Sequence, residues 1–263
     1  MNTMGIITAV ACVGGVGLLI GIFLGIFGRY FRVETDPREE AVLEVLPGNN
    51  CGGCGYPGCS GLASAIVSSE APVNGCPVGG TQSAEKIAAI MGTEAEALER
   101  KTAFVRCKGT CEVTRNQGNY IGVKDCRTAS MNGIRTTECD YGCLGFGSCV
   151  SVCPEHAITV SDGVAVVNRK KCVGCGLCVK TCPRGLIELV PESKKVIVQC
   201  SNHDMGLTVK KVCTAGCIGC GICAKKCVSE AITVSGNLAH VNYENCVQCG
   251  ECASACPVKV ITG

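Results

Sequence analysis

Hydrophobic and polar positions divide the chain into unlike parts. Residues 1–28 carry no charge, and residues 4–27 are almost wholly apolar or glycine. About 24 such residues suffice for one helix across a bilayer with some tilt. Beyond Arg29 the long apolar run stops. Residues 61–67 and 84–100 read as helices, so the first stretch after the apolar segment is small and mostly α. Further on, AITVSDGVAVV and AITVSGNLAHV each place a turn pair, Asp-Gly or Gly-Asn, between β-rich flanks, which predicts two short hairpins. The intervening sequence has neither period and is dense in glycine and cysteine.

The apolar run is read as a membrane span and not a cleaved signal peptide. No Lys or Arg precedes it, and no small-x-small site follows. Arg29 and Arg32 follow closely, which places the N-terminus outside and the bulk of the chain in the cytoplasm, at a cell (inner) membrane. Gly17, Gly21 and Gly25 recur every four residues and give a smooth face for a partner helix, or reflect the ordinary abundance of glycine in such helices. No ionisable acid or base lies within the span, so it is not read as an ion path, and Cys12 is read as a small buried residue.

Cysteine changes the picture most: there are 26 in 263 residues, with no Trp and 4% aromatics. Disulfides, zinc and iron–sulfur clusters are the three chemistries that use so many thiols. A reducing cytoplasm disfavours the first. The formal charge of +2 treats thiols as neutral. Clusters with four thiolates carry about −2 each, so five would bring the protein to roughly −8.

Cys51, Cys54, Cys59 and Cys76 form C-x2-C-x4-C-x16-C. Gly52, Gly53, Gly55 and Gly58 let the backbone curl closely around a cubane, and Pro77 turns the chain away. Zinc motifs present two separated pairs, whereas three ligands crowd together here.

The C-terminal half is an internal repeat. Cys126, Cys139, Cys143, Cys149, Cys153, Cys172, Cys175, Cys178 and Cys182 each have a cysteine 74 residues later. The partners are Cys200, Cys213, Cys217, Cys223, Cys227, Cys246, Cys249, Cys252 and Cys256. Each copy carries the bacterial two-cluster pattern C-x2-C-x2-C-x3-C-P, complete at Cys172–Pro183 and Cys246–Pro257, with Val228 replacing the proline after Cys227. In such folds the fourth cysteine of each run crosses to the other cluster. The expected sets are therefore Cys217, Cys220, Cys223 with Cys256; Cys246, Cys249, Cys252 with Cys227; and Cys172, Cys175, Cys178 with Cys153. The last set departs from the pattern, because Phe146 stands where Cys220 stands in the other copy. Cys139 is taken as the substitute, giving Cys139, Cys143, Cys149 and Cys182, and the rival is a three-iron cluster on Cys143, Cys149 and Cys182 alone.

Five sets use twenty cysteines. A sixth cluster on Cys107, Cys126, Cys200 and Cys213, with Cys111 as an alternative ligand, stays open against a reading of these as buried free thiols. Lysine pairs at 170–171, 194–195, 210–211 and 225–226 either offset cluster charge or form a docking surface for an acidic redox protein. His156, His203 and His240 lack ligand spacing. No P-loop, no G-x-G-x-x-G after a strand and no hydrolytic constellation occurs, so neither a nucleotide nor a flavin site is read on this chain, and no nucleic acid is expected. No catalytic residue is assigned, and the final substrate's chemistry is left to a partner.

The apolar N-terminal helix, the C-x2-C-x4-C-x16-C module, and the CDYGCLGFGSCVSVCP and CTAGCIGCGICAKKC stretches resemble the B subunit of the Rnf complex along essentially the whole chain. The resemblance implies a translocase that oxidises reduced ferredoxin, reduces NAD⁺ and moves Na⁺ or H⁺. It also implies a soluble ferredoxin as electron donor, and other membrane subunits that hold the flavins and the NAD site. The expected fold is α+β: a transmembrane helix (1–28), a small mostly-α [4Fe–4S] domain (29–100), a linker plus first two-cluster ferredoxin-like module (101–190), and a second such module (191–263), with at least five clusters and a sixth open. Two alternatives remain at this point: a membrane-anchored polyferredoxin serving a hydrogenase or another oxidoreductase, and a zinc-binding protein.

Overall fold

The uncharged opening folds as one helix, α1 (Thr3–Tyr30), ending on Arg29 in its last turn. The computed structural model describes residues 3–30, 36–94, 99–116, 118 and 120–263. Among these, α1 is the one helix long and apolar enough to cross a membrane, over Ala11–Arg29, and its described side chains lie on the outside of the chain. Arg32 lies outside the described residues.

Three helices form the next unit: α2 (Pro37–Val45), α3 (Gly58–Val67) and α4 (Gly80–Met91). Asp36 caps α2, accepting a hydrogen bond from the Arg38 N–H, and Pro37 starts the first turn, where its missing N–H is no loss. Val42, Leu62, Ile66 and Ile87 meet in a small core that also receives Cys54, Cys59 and Cys76. The helix read over 84–100 is shorter than expected. It ends at Met91 because Gly92 takes a left-handed φ of 67° and caps it. Residues 95–98 lie outside the described residues.

The repeat then appears as two similar units. The first contains β1 (Lys101–Val105), α5 (Cys126–Met131), α6 (Ser148–Ser151), β2 (Ile158–Ser161), β3 (Val164–Val167), α7 (Leu177–Thr181) and β4 (Ile187–Pro191). The second contains β5 (Ile197–Val198), α8 (Gly206–Val212), α9 (Ile222–Lys226), β6 (Ile232–Ser235), β7 (Leu238–Val241), α10 (Glu251–Ala255) and β8 (Ile261–Thr262). Both hairpins form in the same register, Ile158 opposite Val167 and Ile232 opposite Val241. Asp162–Gly163 and Gly236–Asn237 all adopt positive φ, the two-residue turn that matches strand twist. A second antiparallel pair closes each unit, β1 with β4 and β5 with β8.

Residues 106–116 staple the two units together. The Thr214 N–H donates to the Val113 carbonyl at 2.9 Å and the Arg115 N–H to the Val212 carbonyl at 3.2 Å. The Lys108 ammonium reaches the Lys259 carbonyl at 2.9 Å. Arg169 braces the linker of residues 192–196, which joins β4 to β5: its guanidinium donates to Thr102 Oγ1 and to the carbonyls of Lys194, Pro191 and Glu192. Four fixed acceptors use the planar fork of arginine in a way an ammonium cannot copy.

Candidate metal centre

Each cysteine run owes its shape to one backbone reversal. A glycine with φ between 72° and 78° (Gly147, Gly176, Gly221 and Gly250) starts each of α6, α7, α9 and α10. The third cysteine then lies on the short helix, buried: Cys149, Cys178, Cys223 and Cys252. The fourth leaves the helix in extended conformation at its C-cap, at Cys182, Cys227 and Cys256. At Cys182 and Cys256 the following proline itself favours that conformation.

Four sulfur cages line cavities. Cys153, Cys172, Cys175 and Cys178 face one. Cys217, Cys220, Cys223 and Cys256 face another, with the crossing fourth cysteine in place. The third holds Cys143, Cys149, Cys182 and Cys126. The fourth, at the junction of the two repeats, holds Cys107, Cys139, Cys200 and Cys213. Around a fifth grouping, Cys246 and Cys227 lie close enough to bear on Cys252 electrostatically, and Cys249 is exposed. In the helical unit, Cys54 and Cys59 bear similarly on Cys76, and Cys51 on Cys175.

The cavities group two cysteines otherwise than the spacing does: Cys126 lines the cavity of Cys143, Cys149 and Cys182, and Cys139 lines that of Cys107, Cys200 and Cys213. The reason is local. Asp125 caps α5, accepting from the Thr128 N–H at 2.8 Å, and also accepts from Ser148 Oγ at 2.7 Å. Ser148 Oγ in turn accepts from the Cys126 N–H at 2.7 Å. Cys126 is thereby pinned beside Cys149. Phe146 turns instead to Tyr120, with ring centroids 5.4 Å apart. Cys139 Sγ faces the other way and accepts from the buried Asn202 side chain at 3.5 Å. The Asp-Cys-Arg-Thr start of α5 was the available signal, since aspartate before a short helix marks an N-cap. Cys143, Cys149 and Cys182 thus share their cavity with Cys126. Cys111 stays outside every cage: it is exposed, and its N–H donates to the Asp162 carbonyl at 2.9 Å.

The cages form an unbroken row. Gly53, in the first cysteine loop, abuts Cys175 so closely that an added Cβ would lie 2.4 Å from the Cys175 carbonyl oxygen. Cys149 is near enough to Cys178 to affect it. Cys143 lies near enough to Cys107 to affect it. The Cys217 N–H donates to Cys200 Sγ at 3.3 Å. The last two groupings share one core.

The donor chemistry fits cubane clusters. Sulfurs accept from backbone N–H groups at Cys172 (Ala103, 3.3 Å), Cys153 (Ala157, 3.3 Å), Cys182 (Leu186, 3.4 Å) and Cys76 (Gly79, 3.3 Å). Such bonds stabilise thiolates and tune clusters. Burial pushes the Cys107 and Cys178 thiols up to about 12 and the Cys149 and Cys223 thiols up to about 11. These sulfurs therefore become thiolates at neutral pH only when a metal takes the proton's place. Among the described residues, no three His, Cys, Asp or Glu side chains close around a single ion. Four sulfurs around a cavity suit a polynuclear group better than zinc, which needs each sulfur about 2.3 Å from one atom. The histidines join no cage: His203 Nδ1 pairs with the Gly236 carbonyl at 3.0 Å, and its ring stacks on His240.

Comparison with known proteins agrees with this chemistry. A family model described as a putative Fe-S cluster matches residues 46–78. A 4Fe-4S dicluster domain matches 138–186 and 216–260, and a second dicluster model matches 171–232. The B subunit of the Na(+)-translocating ferredoxin:NAD(+) oxidoreductase complex of Acetobacterium woodii is 46% identical over 259 residues, covering 98% of this chain and 78% of that protein. The B subunit of the ion-translocating oxidoreductase complex of Methanosarcina acetivorans is 42% identical over 257 residues, 97% of each chain. The B subunit of the proton-translocating ferredoxin:NAD(+) oxidoreductase complex of Clostridium ljungdahlii is 42% identical over 244 residues, 92% of this chain and 85% of that protein. A chain with ferredoxin-like 4Fe-4S domains, an apolar N-terminal helix and relatives of this identity over nearly its whole length belongs to the B-subunit family of Rnf-type ion-translocating oxidoreductase complexes.

Proposed function

We propose that this chain is the iron–sulfur electron-transfer subunit of a membrane-bound, ion-translocating ferredoxin:NAD⁺ oxidoreductase. It takes electrons from reduced ferredoxin and passes them to partner subunits that hold the flavin and NAD sites, in a complex that moves Na⁺ or H⁺. The names of the Acetobacterium and Clostridium relatives support this reading. The observation that carries it is the continuous row of thiol cages, from the Cys51 loop through the junction to the Cys246 run.

Six [4Fe–4S] clusters are proposed, each supplying one reversible electron site when bound. Their ligands are Cys51, Cys54, Cys59 and Cys76; Cys153, Cys172, Cys175 and Cys178; Cys126, Cys143, Cys149 and Cys182; Cys107, Cys139, Cys200 and Cys213; Cys217, Cys220, Cys223 and Cys256; and Cys227, Cys246, Cys249 and Cys252. The chain's own contribution is to bury the thiols, aim N–H groups at them and hold neighbouring cages in contact. Residues 1–28 are proposed as a single membrane span, with Arg29 on the cytoplasmic side and the cluster units at 29–100, 101–190 and 191–263 behind it.

Anaerobic iron and sulfide quantification tests the reading, with about 24 iron expected for six cubanes and about 20 for five. Membranes lacking this chain should lose ferredoxin-driven NAD⁺ reduction. Zinc in place of iron and labile sulfide, or retained NAD⁺ reduction, would reject it.

A further inference from the structure

The two repeats treat one pair of equivalent ligands differently. Cys172 and Cys246 are equivalent, as are Ile187 and Ile261, each pair 74 residues apart. Val105 faces Ile187 across β1–β4, and Val198 faces Ile261 across β5–β8. Ala103 and Val196, two residues earlier in each strand segment, are therefore equivalent. In the first unit the Ala103 N–H donates directly to Cys172 Sγ at 3.3 Å. In the second unit the Val196 N–H does not reach Cys246. It donates to Gln248 Oε1 at 2.9 Å, and Gln248 Nε2 donates to Cys246 Sγ at 3.1 Å.

Gln248 stands where the other three runs have glycine: Gly145, Gly174 and Gly219. Those glycines let another segment's carbonyl come close, since an added Cβ would lie 2.7, 2.3 and 2.8 Å from the carbonyl oxygens of Gly163, Lys101 and Asn237. Gln248 keeps the same left-handed backbone, with φ 60°, although an L side chain adopts it rarely. The approaching segment presents N–H groups here, and Oε1 accepts from both Lys195 (2.6 Å) and Val196 (2.9 Å). Two donors on one amide oxygen fix the flip of the side chain, which leaves Nε2 for the sulfur.

We infer that Gln248 is a positioning residue that sets the reduction potential of the Cys227, Cys246, Cys249 and Cys252 site through an amide relay from the interdomain linker to Cys246. A donor to a ligand sulfur favours the more negative, reduced state and raises the potential. The other cages receive such donors mainly from the main chain, which mutation cannot remove. At Cys246 a side chain carries it, and the same side chain ties the run to residues Lys195 and Val196. The inference rests on the proposal that these four cysteines hold a cluster.

The test uses the full-length, anaerobically purified protein, titrated electrochemically while the clusters are followed by electron paramagnetic resonance. Gln248→Leu removes the amide. Gln248→Glu keeps the shape and both linker bonds but turns an anionic oxygen on the sulfur. Both should retain wild-type iron and sulfide and shift one midpoint to more negative potential, the glutamate further, while the others stay. The shifted signal should be the one that Cys252→Ser removes. Unmoved midpoints in both variants at full iron content would overturn the inference, as would loss of that site's iron in both, which would make Gln248 a brace only. Absence of iron from the wild-type protein would instead reject the cluster assignment on which the inference stands.

Discussion

The main-chain N–H of Cys217 donates to Sγ of Cys200 at 3.3 Å, so a cysteine of one cage is hydrogen-bonded to a cysteine of the next. On the far side of the same junction cage, Cys143 lies near enough to Cys107 to affect it electrostatically. Cys107, Cys139, Cys200 and Cys213 therefore connect the two repeats as well as lying between them. Cys200→Ser is expected to remove about 4 of 24 iron and to slow electron exchange between the repeats. Stopped-flow reduction by a dithionite-reduced ferredoxin should then show one group of clusters reduced fast and the rest slow. A single fast phase with five clusters would show that the junction is dispensable.

The exchange of Cys126 and Cys139 gives a sharp contrast between two alanine variants. Cys126→Ala leaves the Cys143, Cys149, Cys182 cage with three thiols and should produce a three-iron resonance signal. Cys139→Ala should leave that cage whole and deplete the junction site. The reverse pattern would restore the assignment made from spacing alone. Ser148→Ala, which removes the hydroxyl that ties Asp125 to the Cys126 N–H, should weaken the Cys126 cage without touching a ligand. Its expected destabilisation is about 1–2 kcal/mol, read from anaerobic thermal unfolding.

Contact between the first unit and the repeats depends on a missing side chain. An added Cβ at Gly53 would sit 2.4 Å from the Cys175 carbonyl oxygen, a backbone atom with little freedom to move. Gly53→Ala should keep its own four thiols and its iron, yet push the unit away at a cost of about 1–3 kcal/mol. Transfer between the Cys51 site and the Cys175 site should slow, measured by flash reduction of the holoprotein. Gly55, whose Cβ would meet nothing within 4 Å, is a poor control because its φ is 92°. Gly15, with the same open space and the ordinary backbone of the apolar helix, is the better one.

Arg169 holds the linker by donating to one hydroxyl and three carbonyls, with N···O distances of 2.8 to 3.2 Å. Arg169→Ala should destabilise the chain by about 2–4 kcal/mol, since hydrogen bonds from charged groups are the strong ones and the acceptors are left unmet. Arg169→Lys should recover little of this, because one ammonium cannot reach all four acceptors. Equal stability of the lysine variant in denaturant titration would contradict this role.

Much of this protein was legible in its sequence, and for a physical reason. The curl of a C-x2-C-x2-C-x3-C run is local, because the spacing, one reversing glycine and one short helix decide it. The hairpins were legible too, since Asp162–Gly163 and Gly236–Asn237 need the positive φ values they adopt. The apolar segment could be read from length alone, and α1 follows it.

What the sequence by itself determined was therefore the inventory: thiols in countable runs, repeated at a fixed interval, behind one uncharged apolar segment. Tertiary structure decided which thiols face one cavity. Cys139 lies four residues from Cys143 and yet faces away from it, while Cys126, far along the chain, is delivered by the Asp125–Ser148 contact. The repeat could not reveal this: Cys200 and Cys213 share one cage, whereas Cys126 and Cys139, their counterparts in the first copy, belong to two. Proximity along a chain limits which sulfurs can meet; the direction a side chain takes is set by the capping, packing and hydrogen bonds of segments remote in sequence.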